Sequence, residues 1–70
     1  MNISTCTWRS VVESLVKKRK KLNLSQEVLA ARMGYHVNTL RGWETYKVVP
    51  SALAFLSWTD SLNVTVYVDL

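Results

Sequence analysis

Within five positions the chain carries Val37, Asn38 and Arg41, an apolar contact, an amide that donates and accepts at once, and a rigid fork of donors. Such a set recognises surfaces that present both hydrogen-bonding edges and methyl groups, and it makes or breaks no covalent bond. Little else offers reactive chemistry. The single histidine, His36, and the single cysteine, Cys6, lie far apart; the five carboxylates are scattered and no phosphate-cradling glycine loop exists. With no constellation for acid–base, metal or covalent catalysis, the chain is expected to be no enzyme and to need no cofactor or metal. Cys6 cannot form an internal disulfide, and Arg9 alone is too little positive charge to activate it. Charge is the stronger signal. Of a net +4, residues 1–47 hold nine Lys and Arg against Glu13, Glu27 and Glu44, whereas residues 48–70 hold only Asp60 and Asp69. One face is thus fitted to a polyanion and another to something else.

These side chains need a helix to align them. At 100° per residue, Val37, Asn38, Arg41, Gly42 and Thr45 share an arc of roughly 140° on a helix running from Val37 to Thr45, with Leu40 and Trp43 opposite. Just upstream, Leu29, Ala30 and Met33 recur at helical spacing, Gly34 supplies a turn residue tolerant of positive φ, and Tyr35 sits at the elbow. Of the apolar residues in this stretch, Leu29, Ala30, Met33, Tyr35, Leu40 and Trp43 are expected to be buried. Residues 25–46 therefore read as a helix-turn-helix. This motif points to double-stranded DNA. The N-terminal residues of its second helix lie nearest the base edges, which selects Asn38 for adenine and Val37 for a thymine methyl, with Arg41 reaching guanine or phosphate. Ser25 and Gln26 open the first helix of the pair, where free amides grip phosphate. His36 caps the second or touches phosphate.

The remaining elements follow from caps and periodicity. Thr5 or Thr7 caps a first helix to about Leu22, with Trp8, Val11 or Val12, Leu15, Val16 and Leu22 as its apolar stripe. Asn23 stops it. Ser25 caps the second helix, Glu27 complements its dipole and Gly34 ends it. A fourth helix runs from Ser51 or Ala52 to about Ser61 behind Pro50, with Leu53, Leu56 and Trp58 facing the core. The three tryptophans read as core or dimer-interface residues rather than base-stacking platforms. Lys17-Lys18-Arg19-Lys20-Lys21 reads either as a nucleic-acid patch or as a solvated run complementing a helix C-terminus.

From Val64 the pattern alternates strictly, Val64, Val66, Val68 and Leu70 against Thr65, Tyr67 and Asp69, which predicts a strand. A lone strand leaves its backbone groups unpaired. The predicted partner is a second copy, giving an antiparallel pair across a two-fold axis with Val64, Val66, Tyr67 and Val68 in the dimer interface. An N-terminal strand over residues 2–7 and an unpaired tail are the other readings. Domain organisation is thus 1–63 for the helical domain and 64–70 for dimerisation. Seventy residues bury only about 60% of the unfolded surface, so association would help stability. The longest apolar stretch, Val48 to Trp58, is broken by Pro50, Ser51 and Ser57 and too short to span a bilayer. With no signal-peptide layout at its start, the protein is expected in the cytoplasm and not at a membrane.

Taken together, Arg19, Leu24-Ser25-Gln26-Glu27-Val28-Leu29-Ala30, Gly34, Leu40, Trp43-Glu44, Pro50 and Leu53 resemble the Cro and phage-repressor type of helix-turn-helix, also called the xenobiotic-response-element family. The resemblance covers roughly residues 12 to 63. It implies a mainly α, four-helix lambda-repressor-like domain, an ion pair between Arg19 and Glu44, a phosphate contact by Gln26, and contacts to the duplex backbone from Thr45, Tyr46 and Lys47. It also implies a regulator, by default a repressor, bound as a homodimer to an inverted repeat in a prokaryotic or phage-infected cell. An antitoxin or antiactivator of the same fold, acting on another regulatory protein or a toxin, is the alternative. Three departures matter: Asn23 and Asn63 replace glycines, and Gly42 replaces a polar, DNA-facing side chain.

Overall fold

The computed structural model describes residues 7–66, which hold four helices: α1 Trp8–Lys21, α2 Gln26–Met33, α3 Val37–Glu44 and α4 Ala52–Ser61. Each begins on a side-chain cap. Thr7, Ser25 and Ser51 accept the N–H of Ser10, Val28 and Ala54, and the His36 ring accepts that of Asn38. Each helix also ends alike. The chain passes through one left-handed residue, Asn23, Gly34, Tyr46 or Asn63 (φ 58°, 76°, 65° and 57°). The next N–H then reaches back to a carbonyl one turn inside the helix: Leu24 to Arg19, Tyr35 to Ala30, Lys47 to Gly42 and Val64 to Thr59. This closure satisfies one of the orphaned carbonyls at each helix end.

Gly34 is the only glycine at such a position, and a Cβ there would meet nothing within 4 Å. Replacing it therefore carries a conformational cost alone. Gly34→Ala should lose about 1–2 kcal/mol of unfolding free energy, while Gly34→Asn should lose clearly less, since asparagine holds the same conformation at residues 23 and 63. Urea titration of both variants checks this; an unchanged midpoint for the alanine variant would contradict it.

Helix α2 packs on α3 and α4, and α1 packs on α3. Between them lie Val12, Leu15, Leu29, Ala30, Leu40, Trp43, Ala54, Trp58 and Leu62. Aromatic rings knit this core. Trp43 lies 5.4 Å from Trp58 and 5.2 Å from Tyr35, and Trp8 lies 5.6 Å from Phe55.

The structure departs from the sequence-based expectations at several apolar residues. Leu53 and Leu56 do not face the core; Leu53 is 80% and Leu56 50% exposed. Helix α4 instead buries Ala54 and Trp58, one turn apart, and Leu62 just past its end follows the same row. The bulk of Trp58 sets that face. Leu22, at the outer edge of the α1 terminus, and Tyr35, with one ring edge on Trp43, are both exposed, and Met33 is half-buried. The predicted strand also begins differently. Val64 packs against the core and spends its N–H on the α4 terminus, and no strand occurs among the described residues. Tyr67, Val68, Asp69, Leu70, Cys6 and the predicted strand at residues 2–7, apart from Thr7, lie outside the described residues.

Candidate nucleic-acid interface

Helices α2 and α3 meet at the turn Gly34-Tyr35-His36, and the burial of Leu29 and Ala30 against Leu40 and Trp43 fixes which side of α3 remains outside. That outer side carries Asn38, Arg41 and Thr45, all exposed. Val37 is different. It is half-buried and packs along the core, because it stands one turn from both Leu40 and Arg41 at the margin of the arc.

A continuous chain of polar contacts runs from the core to this face. Arg19 of α1 donates through Nε and Nη2 to the two oxygens of Glu44, at 2.8 and 3.1 Å, and through Nη1 to the Leu24 carbonyl at 2.8 Å. With side chains only 10% and 5% exposed, this pair fastens α1 to the end of α3. The Gln26 amide donates to Glu44 at 2.8 Å and accepts from Arg41 Nε at 3.2 Å. Arg41 also donates to Glu27 at 2.8 Å and to the Asn38 carbonyl oxygen at 3.2 Å. Its guanidinium is thus held by α2 and in turn holds Asn38. Two side chains suited to base edges are positioned before any ligand arrives, which lowers the ordering cost of binding.

The flanking residues fall in two groups. Ser25 and His36 serve as caps, and both remain exposed at helix N-termini. Thr45 closes the end of α3, its hydroxyl donating to the Arg41 carbonyl at 2.7 Å, and Lys47 is exposed beyond it. Tyr46 turns back toward α1. Its ring carries Arg9 at 4.6 Å and its hydroxyl donates to Glu13 at 3.5 Å. In the basic run, Arg19 is buried and Lys17, Lys20 and Lys21 are exposed.

Sequence reasoning missed three features of this surface. It gave Glu27 only a dipole role, whereas Glu27 anchors Arg41; no local pattern links residues on two different helices. It also passed over the left-handed backbone at Tyr46, which was legible as the residue just beyond a helix end. Val48, which lies against Gly42, was read only as part of an apolar stretch.

No curated protein and no solved structure matches the chain. A family model described as helix-turn-helix matches residues 15–67, spanning all of α2, α3 and α4 and the half of α1 that carries Arg19. With the buried crossing of α2 and α3, the Arg19–Glu44 tie and an outward polar face on α3, the chain belongs to the Cro/C1-type helix-turn-helix family of DNA-binding transcription regulators.

Proposed function

We propose that the protein is a sequence-specific repressor that occupies an inverted-repeat operator as a homodimer, inserting α3 into the major groove of each half-site. The observation that carries this reading is the pair Asn38 and Arg41, exposed on α3 and joined by a hydrogen bond while α2 holds Arg41 from behind. Asn38 and Arg41 read base edges, with Val37, half-buried at the helix start, contributing an apolar contact. Ser25, Gln26, His36, Thr45 and Lys47 contact phosphates, and Tyr46 follows at the same edge with Arg9 on its ring. Bound near a promoter, such a dimer blocks polymerase.

Selection of bound duplexes from a random pool tests this directly. One palindrome with half-sites about one helical turn apart should be enriched. Asn38→Ala should weaken binding to it by about 1–3 kcal/mol, roughly 5- to 150-fold, with a smaller loss on random DNA. Equal affinity of the wild type and the Asn38→Ala variant for the selected site would refute the reading. Dimerisation is assigned to Val66, Tyr67 and Val68, with Val64 as their anchor on the core. A chain ending at Thr65, which lacks all three, should sediment as a monomer.

A second reading has its own observation. Val49, Leu53 and Leu56 form exposed apolar surface on and before α4, which suits a protein partner of an antitoxin or antiactivator. Weak salt dependence of DNA binding with no enriched sequence would favour it.

A further inference from the structure

Helix α3 presents a gap on its outer face. Gly42 stands one turn beyond Asn38 on the same side and has no side chain to offer. The chain itself fills that gap. After the left-handed turn at Tyr46, the N–H groups of Lys47 and Val48 both donate to the Gly42 carbonyl, at 2.9 and 3.2 Å. Val48 is thereby folded back along the helix. A Cβ built on Gly42 would lie 3.4 Å from Val48 Cγ2 and 3.6 Å from its Cβ, within ordinary contact distance. Val48 therefore lies directly beside the position that a Cβ on Gly42 would take, in contact range of it. It is also 54% exposed, an apolar group kept at the surface although its backbone is pinned.

We propose that Val48 is a contact site for the C5-methyl group of a pyrimidine in the major groove, reading the base next to the one met by Asn38. This rests on the DNA-binding reading above. A branched aliphatic side chain on such a face has no hydrogen bond to give, and the apolar feature that a major groove displays is the C5-methyl of thymine, or of 5-methylcytosine where cytosine is modified. Asn38 supplies the polar half of the recognition and Val48 the apolar half. Gly42 places no side chain of its own between them.

The test uses the full chain and its selected duplex. Each thymine of one half-site is replaced in turn by uracil, which removes only the methyl group, and binding is measured for the wild type and for Val48→Ala. At one position uracil should weaken the wild type about fourfold, the effect of leaving one methyl group in water. Val48→Ala should show no loss at that position and unchanged losses elsewhere. Cytosine and 5-methylcytosine placed there should differ by a similar factor for the wild type and not for the variant. Identical uracil profiles for the two proteins, or no methyl-sensitive position at all, overturn the proposal while leaving a selected site intact. If the wild type selects no sequence, the DNA-binding reading fails first and this inference with it. Melting of Val48→Ala, and the Val48→Thr variant that keeps one methyl and the side-chain shape, guard against a folding defect.

Discussion

Arg19→Ala loses about 3–5 kcal/mol of unfolding free energy, enough to leave this small domain largely unfolded at ambient temperature. The substitution strips Glu44 of both its guanidinium donors and leaves the Leu24 carbonyl without one, in a site where the carboxylate side chain is 5% exposed. A buried carboxylate cannot recover that loss from water. Gln26 remains as its single side-chain partner among the described residues. The size of the effect comes from the stranded charge rather than from the pair's own attraction, which yields a discriminating control. Arg19→Met combined with Glu44→Leu removes both charges and should be less damaging than Arg19→Ala alone. Arg19→Lys keeps the charge but not the fork and should fall between wild type and alanine. Urea unfolding followed by far-ultraviolet circular dichroism reads all three; an alanine variant within 1 kcal/mol of wild type would falsify the structural role given to this pair.

Trp58→Ala should cost a similar 3–5 kcal/mol for a different reason. Trp58 is fully buried and is the largest side chain in that class, with its ring 5.4 Å from Trp43 at an interplanar angle of 37°. Its removal opens a cavity beneath α3, bordered by a ring that in turn supports Tyr35 at the elbow of the motif. Trp58→Phe makes the sharper comparison. The indole Nε1 is buried and finds no acceptor among the described residues, so phenylalanine loses volume while discarding an unpaired donor. Its cost should be about 1 kcal/mol, far below that of alanine. Equal losses for the two variants would show that ring volume is irrelevant at this site and would overturn the argument. Because Trp58 is fully buried and packs on Trp43 rather than standing on the outer face, folded Trp58→Phe should also retain its preference among DNA sequences.

Most of the helical scaffold was legible in the residues. Caps and stops are local signals: a hydroxyl three residues before an amide in need of a partner, or an asparagine or glycine where the backbone must turn left-handed. Ser25, Asn23 and Gly34 were found this way, Thr7 was one of two candidate caps with Thr5, and the start of the fourth helix was placed at Ser51 or Ala52. The inward face of α4 could not. Leu53, Ala54, Phe55, Leu56 and Trp58 make that helix apolar around most of its circumference, so periodicity does not choose a side, and only the fit of Trp58 beneath Trp43 does. Val64 shows the same limit. Its alternation with the residues that follow has the period of a strand, yet its N–H closes α4 and its side chain covers the core, because an unsatisfied helix end lies nearer than any strand partner within the described residues.

The candidate interface divides in the same manner. Asn38 and Arg41 could be placed on the outer face of α3 from 100° steps, since the rotation of a helix is a property of its own residues. Their partners could not. Whether Arg41 meets Glu27 and Gln26, and whether Val48 covers Gly42, depends on how α2 crosses α3 and on how a turn redirects the chain. Sequence alone indicated four helices, approximately where each starts and stops, and which polar groups α3 shows, because hydrogen bonds within a few residues decide those matters. The tertiary structure decided which side chains are buried, paired or left facing outward, because those outcomes depend on the angle and distance between elements that no local pattern encodes.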